Sequence, residues 1–339
     1  MKRALELALL GPAHGPNPQV GAVILNPDGQ IIAEGWHQGA GTPHAEVMAL
    51  SQLAIIPDDC TAVVTLEPCN HTGRTGPCAQ ALIDAGIARV VYASSDPGQQ
   101  SSGGAERLRA AGVEVIANCE QTAADAQLNI WLTAMRQQRP FVTLKWAATL
   151  DGRAAAADGS SQWISGTESR AHAHLLRSQV DAILVGTATA IADRATLTAR
   201  QPDGTLYPHQ PLRVVLGERD LPSDLPVLND SAPSLQLKTR DPLAALAALW
   251  EREVRHLLIE GGPQVASAFI QAGLVDQFLL YQAPMLLGGP RVAIADLGIY
   301  NIAQAQQLKF TAVQPLGVDL LITAVPAEKT PAISSESEH

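Results

Sequence analysis

His44, Glu46, Cys69 and Cys78 constrain this chain more than any other feature. An imidazole and two thiolates form a donor set that binds Zn²⁺ and leaves one tetrahedral position open. A structural knuckle would use the same residue types, but it normally fills the fourth position with protein. Glu46 adds a carboxylate that the metal does not need as a ligand. Residues two apart on a helix point to nearly opposite sides, so His44 and Glu46 can serve one centre only at a helix end. Thr42 as N-cap and Pro43 as first helical residue predict a helix start there, running to about Leu53. The cysteines must then be delivered to that end from strand-to-helix junctions.

One His, a Glu two residues on, a Pro-Cys and a second Cys are the inventory of a zinc deaminase. The metal makes a water reactive near neutral pH. Glu46 would take the water's proton and pass it to the ring nitrogen and the departing ammonia. The run from Pro68-Cys69 to Cys78 is longer than the commoner Cys-x-x-Cys spacing. The inserted loop carries His71 and Arg74 beside the pocket, which suits an anionic substrate.

A chain of 339 residues is long for one core, and 46% hydrophobic residues is ordinary for a globular protein. No apolar run reaches a membrane span, and Met1-Lys2-Arg3-Ala4-Leu5-Glu6 reads as a helix opening rather than a signal peptide, so a cytoplasmic protein without membrane contact is expected. Cys60 and Cys119 then read as free thiols. Lys and Arg against Asp and Glu number 8 and 13 up to residue 139, and 15 and 20 beyond it, about −5 in each part. A nucleic-acid deaminase should show a basic face, and none is visible; a small molecule is the expected substrate.

Hydrophobic periodicity gives alternating strands and helices. Strands are expected at 20–25, 31–35, 61–66, 89–93 and 113–117, with helices at 5–10, 43–53, 78–85 and 105–111, which makes a three-layer α/β/α sandwich. One long helix over 122–138 closes this part, and Arg139-Pro140 breaks it. Beyond it, strands over 141–147, 181–185, 213–216 and 257–259 alternate with helices over 168–179 and 243–253 and one ending at Gln271. Two of these strands end on glycine, at Gly186-Thr187 and Glu260-Gly261-Gly262, and each opens a helix. Such junctions place N–H groups where phosphate can sit, and two suggest a dinucleotide. No Gly-x-Gly-x-x-Gly is present. The domains are expected at 1–139 and 140–325, with a disordered Ser-, Glu- and Pro-rich tail at 326–339.

The long cysteine spacing, with Pro16-Asn17-Pro18-Gln19-Val20-Gly21-Ala22-Val23 and Gly35-Trp36-His37 before it, resembles the deaminase half of the bifunctional riboflavin-biosynthesis deaminase/reductase family. Lys145 to Arg153, Ser161-Gln162-Trp163-Ile164, Val185 to Asp193 with Leu197-Thr198-Ala199-Arg200, and Glu260-Gly261-Gly262 resemble its reductase half. The resemblance covers roughly residues 4 to 325, as expected of a complete two-domain member. It implies a cytidine-deaminase-like α/β/α sandwich followed by a dihydrofolate-reductase-like α/β domain, with Zn²⁺ and NADPH as cofactors. It further implies that a pyrimidine ribosylamino phosphate meets Asn17, His37, His71 and Arg74 in the first domain. In the second, Lys145, Ser161, Arg177, Asp193, Leu197, Arg200 and Glu260 would face the substrate, and Arg177 and Arg200 suit its phosphate. Ala147, Trp163, Thr189, Asp193, Gly262, Pro263, Gln264, Val265, Ala266, Ser267 and Ala268 would line the NADPH site. Self-association as a homo-oligomer is the family expectation. Two departures stand out: Gly98 follows Asp96-Pro97 where the family has Asn, and Arg194-Ala195 follow Asp193 in place of Asp and Pro. They leave a second reading open, a member with one degenerate domain. A zinc nucleoside or nucleic-acid deaminase fused to an unrelated domain is the other rival.

Overall fold

The computed structural model describes residues 1–72, 76–98 and 101–327. The chain forms two compact units, one built on Met1–Phe141 with Gln179–Ala182 and Leu243–Leu257, the other on the remainder.

The first unit runs α1 (Lys2–Ala8), β1 (Gly21–Leu25), β2 (Ile31–Trp36), α2 (Ala45–Leu50), β3 (Thr61–Leu66), α3 (Cys78–Asp84), β4 (Arg89–Ser94), α4 (Gly104–Ala110), β5 (Glu114–Ile116), α5 (Gln121–Gln127) and α6 (Asn129–Gln137). The sheet order is β2-β1-β3-β4-β5, with β1 antiparallel to β2 and β3, and β3, β4 and β5 parallel. Alternation along the strands separates the faces. Ile24, Ala62 and Val90 pack with Ala49, Leu82 and Leu108 of α2, α3 and α4, whereas Val23, Val63 and Val91 pack with Ala4 and Leu7 of α1. Three layers result, with β3 buried along its whole length at the centre. Gly35 lets α2 approach β2 closely, since a Cβ there would lie 2.2 Å from the Ala45 carbonyl oxygen.

Two helix expectations need correction. The single helix over 122–138 is α5 and α6, parted at Leu128, where Leu128 and Leu132 both bury against Leu66. The zinc-motif helix starts at Ala45, with His44 rather than Thr42 as its N-cap, in extended conformation at ψ 163°. The Thr42 hydroxyl is taken by Gly39 O at 2.7 Å and the Pro43 carbonyl by His37 Nδ1 at 3.2 Å, which diverts both from helix initiation.

The remaining elements are β6 (Phe141–Thr149), α7 (Thr167–Arg177), β7 (Ala182–Gly186), α8 (Thr187–Asp193), β8 (Leu212–Leu216), β9 (Ser234–Leu237), α9 (Pro242–Trp250), β10 (His256–Ile259), α10 (Pro263–Gln271), β11 (Gln277–Ala283), β12 (Leu308–Leu316) and β13 (Asp319–Pro326). Their eight strands order as β12-β13-β11-β6-β10-β7-β8-β9. β6 and β11 are parallel, with Ala147 opposite Tyr281. The expected tail begins inside β13, which extends through Pro326, and 328–339 lie outside the described residues.

The start of α7 is capped from far along the chain. Asp319, buried at the β12–β13 turn, accepts from the Gly166 N–H at 2.7 Å and from the Ser169 hydroxyl at 2.6 Å. Its removal leaves helix-terminal donors without a partner. Asp319→Ala is expected to cost about 2 kcal/mol in reversible denaturant unfolding; an unchanged midpoint would contradict this role.

Candidate functional site

The first site forms where α2, the end of β3 and α3 begin or end. His44 is the N-cap of α2, Cys69 follows β3 by three residues, and Cys78 is the first residue of α3. His44 Nδ1 lies 3.2 Å from Cys78 Sγ and 3.5 Å from Cys69 Sγ, and the three donor atoms fall within 4.8 Å of one another. A tetrahedral zinc with its usual bond lengths of about 2.0–2.3 Å sets its donors roughly 3.5–3.8 Å apart, so the set fits that ion. The Cys78 N–H points at Cys69 Sγ from 3.3 Å, a contact that favours thiolate. The Cys78 thiol beside it, with further help from His44, holds Cys69 well below the ordinary thiol range, and the same contact pushes Cys78 up. A dication between them would displace the Cys78 proton.

Glu46, one turn-position inside α2, is buried with 3% exposure and meets the Cys78 thiol. Burial pushes its carboxyl above the usual carboxylate range. That suits a group which must accept and return a proton.

A cleft of about 530 Å³ opens onto these residues, lined also by Asn17, His37, Asp96 and Ser101. His37 is buried, and burial lowers its pKa, which keeps the ring neutral. Its Nδ1 meets Pro43 O at 3.2 Å and its Nε2 meets Asn17 Nδ2 at 2.9 Å. Donation from Nδ1 and acceptance at Nε2 aim the Asn17 amide, leaving its carbonyl oxygen for a ligand. His37 thus acts on Asn17, and its ring also meets His44 edge-on at 5.2 Å. His71 lines the cleft with its Nδ1 buried and without a partner among the described residues, while Arg74 lies outside them.

Sequence reasoning gave no role to Glu67, Asp96, Ser101 or Trp131. Glu67 accepts from the Ala105 N–H at 3.1 Å and the Asp96 N–H at 3.4 Å, and its position at the end of an apolar strand was the available signal. Asp96 accepts from the Gly98 N–H at 2.8 Å and from the Ser101 side chain. A Cβ on Gly98 would fall 2.1 Å from Ser101 Oγ, so Ser101 fills the space of a side chain at 98. Trp131 holds the Pro16 carbonyl at 3.0 Å and with it the Asn17 segment, a contact no local pattern announces.

The second constellation is built on β6, α7 and the end of β10. Arg177 grips Glu260 with Nε to Oε1 at 2.7 Å and Nη2 to Oε2 at 2.9 Å, while Nη1 donates to Thr198 O at 3.1 Å. Three of its five N–H donors are thus engaged within the protein. Lys145 Nζ stands 3.4 Å from Glu260 Oε2 and 5.2 Å over the Tyr281 ring. Burial alone would raise the Glu260 carboxyl, but the charges of Arg177 and then Lys145 hold it well below the usual range. Leu197, buried at φ 56°, carries the chain into Thr198 and Arg200, whose guanidinium reaches Gly204 O at 3.0 Å.

The two glycine-ended junctions come together. The Gly262 N–H donates to Thr189 Oγ1 at 3.1 Å, and a Cβ on Gly186 would lie 2.8 Å from Val265. The first turn of α10, starting with Pro263 and Gln264, opens at this junction. Ala266 and Ser267 are buried, and the Ser267 hydroxyl donates to Ala295 O at 3.2 Å. Ala147 lies on β6 beside Tyr281, Asp193 ends α8, Ala268 follows within α10, and Ser161 and Trp163 stand exposed ahead of α7.

Comparison with known proteins extends this geometry. Residues 1–94 match the cytidine and deoxycytidylate deaminase zinc-binding region, and residues 140–322 match the RibD C-terminal domain. The riboflavin biosynthesis protein RibD of Mycobacterium tuberculosis H37Rv is 48% identical over 312 residues, 91% of each chain. Acinetobacter baumannii RibD superposes with a TM-score of 0.88 at 36% identity, over 96% of this chain and 97% of that one. A diaminohydroxyphosphoribosylaminopyrimidine deaminase/5-amino-6-(5-phosphoribosylamino)uracil reductase from Thermotoga maritima gives 0.86 at 32%, over 96% and 97%. Fold and site together define a zinc deaminase joined to an NADPH-dependent reductase. The chain belongs to the RibD family, the bifunctional deaminase/reductases of riboflavin biosynthesis.

Glu260→Ala would leave Arg177 and Lys145 as buried cations without their carboxylate. Denaturant unfolding should show a loss of about 3–5 kcal/mol, and wild-type stability would contradict the network described.

Proposed function

We propose that residues 1–139 deaminate 2,5-diamino-6-ribosylamino-4(3H)-pyrimidinone 5′-phosphate and that residues 140–325 reduce the ribosyl side chain of the product to ribityl with NADPH. The observation that carries the reading is the convergence of His44 Nδ1, Cys69 Sγ and Cys78 Sγ beside a buried Glu46, with His44, Glu46 and Cys69 lining one cleft. His44, Cys69 and Cys78 would hold zinc, which when bound activates a water for attack on the amino-bearing ring carbon. Glu46 takes the proton from that water and delivers it to the ring nitrogen and then to the leaving amino group, which departs as ammonia. Asn17, aimed by His37, binds the pyrimidine edge, and His71 with Arg74 faces the phosphate. The ring gains oxygen and loses nitrogen, so no electrons change hands.

The next step needs two. NADPH supplies hydride to the sugar carbon that opens from the ring form. The Thr189–Gly262 junction and the first turn of α10 would hold the cofactor's phosphates, and Ala147, Trp163 and Asp193 would complete its site. Lys145, placed beside Glu260, delivers the balancing proton or orients the hydroxyl that receives it. Ser161, Arg177, Asp193, Leu197, Arg200 and Glu260 contribute to the substrate side, with Arg177 and Arg200 suited to its phosphate by charge and fork geometry.

The acidic charge balance supports a small-molecule substrate in place of nucleic acid. Free cysteines at 60, 69, 78 and 119 support a cytoplasmic location, and no helix among the described residues is long and apolar enough to cross a membrane. Exposed Phe310 and Val313 on β12 support self-association through that strand.

Glu46→Gln tests the assignment. Ammonia release should fall by at least about a hundredfold, with zinc content unchanged by elemental analysis and NADPH oxidation on the deaminated intermediate retained. Substantial residual deamination would remove Glu46 from the proton path.

A further inference from the structure

Eight residues, Asn70 to Pro77, separate the two cysteine ligands, where the commoner spacing has about two. A longer loop holds its ends together less firmly. The ends are instead fixed from outside by α4. The Ala105 N–H donates to Glu67 Oε1, the Asn70 N–H donates to Ser101 O at 2.8 Å, and a Cβ on Gly104 would overlap the Pro68 carbonyl oxygen at 1.7 Å. The start of α4 is thereby pressed onto the segment that carries Cys69.

From this platform Arg107 reaches both ligand segments. Its Nη1 donates to Asn70 Oδ1 at 2.9 Å and its Nη2 donates to Gln80 Oε1. Asn70 directly follows Cys69, and Gln80 stands two residues after Cys78 in the first turn of α3. A planar guanidinium with donors in a fixed fork sets the separation of two acceptors in a way an ammonium cannot. Among the described residues the backbone ties these segments only around Cys69, from the Ala79 N–H to Cys69 O at 3.1 Å and from the Cys78 N–H to Cys69 Sγ at 3.3 Å, whereas Arg107 spans from Asn70 to Gln80. We propose that Arg107 is a positioning residue of the metal centre, clamping the Cys69 and Cys78 segments at the separation zinc requires. It rests on the zinc reading of His44, Cys69 and Cys78 and acts only through them.

The test is zinc release from the purified full-length protein to a chromophoric chelator. Arg107→Ala should accelerate release about tenfold or more, and Arg107→Lys should fall between the two because it keeps the charge without the fork. The cobalt-substituted protein should show altered thiolate-to-metal absorption in Arg107→Ala, while circular dichroism and NADPH oxidation on the deaminated intermediate stay at wild-type values. Wild-type release and an unaltered cobalt spectrum would overturn the clamp. Should Arg107→Ala not fold, Asn70→Ala and Gln80→Ala each remove one arm; unchanged release in both overturns the proposal, and faster release in either supports it. A wild-type protein that takes up no zinc contradicts the metal reading instead, an outcome visible before any variant is compared.

Discussion

Three metal donors from separate parts of the chain have to stay within a few ångströms of one another, and the first unit is arranged around that requirement. Two of them stand at helix starts and the third just past the end of the central strand β3. Before any ion arrives the donors meet one another through His44–Cys78 and His44–Cys69 contacts, so the fold delivers them already gathered. Gly35 lets α2 seat against β2, and Gly104 lets α4 seat against Pro68. Close backbone approach at these two points fixes helix positions more tightly than side-chain packing would, because nothing lies between the elements to adjust.

The second unit solves a different problem, that of keeping charge inside. Glu260 ends an apolar strand, and it is tolerable there because Arg177 meets both of its oxygens and Lys145 adds a second cation. The cluster thus carries more positive than negative charge beside the parallel pair β6 and β11. An excess positive charge in a protected place is what a reaction that takes up hydride and proton on a phosphorylated sugar can use. Tyr281 supports it from the neighbouring strand, its ring under Lys145 and its hydroxyl 2.7 Å from His172 Nδ1.

Much of this was legible in the residues. The metal donors and Glu46 could be named because their chemistry demands those residue types in that order. The sheet of the first unit could be drawn because Ile24, Ala62 and Val90 alternate with Val23, Val63 and Val91. What escaped depended on partners distant in sequence. Thr42 looks like a helix cap, yet a turn to Gly39 claims its hydroxyl and the helix starts at His44. Nothing local to Arg177 announces that Glu260, far along the chain, meets its guanidinium on two nitrogens. The strand β12 is exposed at nearly every position and shows no alternation to read. The division between α5 and α6 has no proline or glycine to mark it and is set by the packing of Leu128 and Leu132.

The central claim is that one chain carries out two consecutive steps on one small molecule. It is tested most directly by following NADPH oxidation with the purified zinc-loaded protein, supplied either with the diaminopyrimidine ribosylamino phosphate or with the separately prepared deaminated intermediate. Oxidation from both, with ammonia released only from the first, is the predicted result. Oxidation from the deaminated intermediate alone would contradict a working deaminase half and direct attention to the Gly98–Ser101 region; oxidation from neither would contradict the reductase assignment.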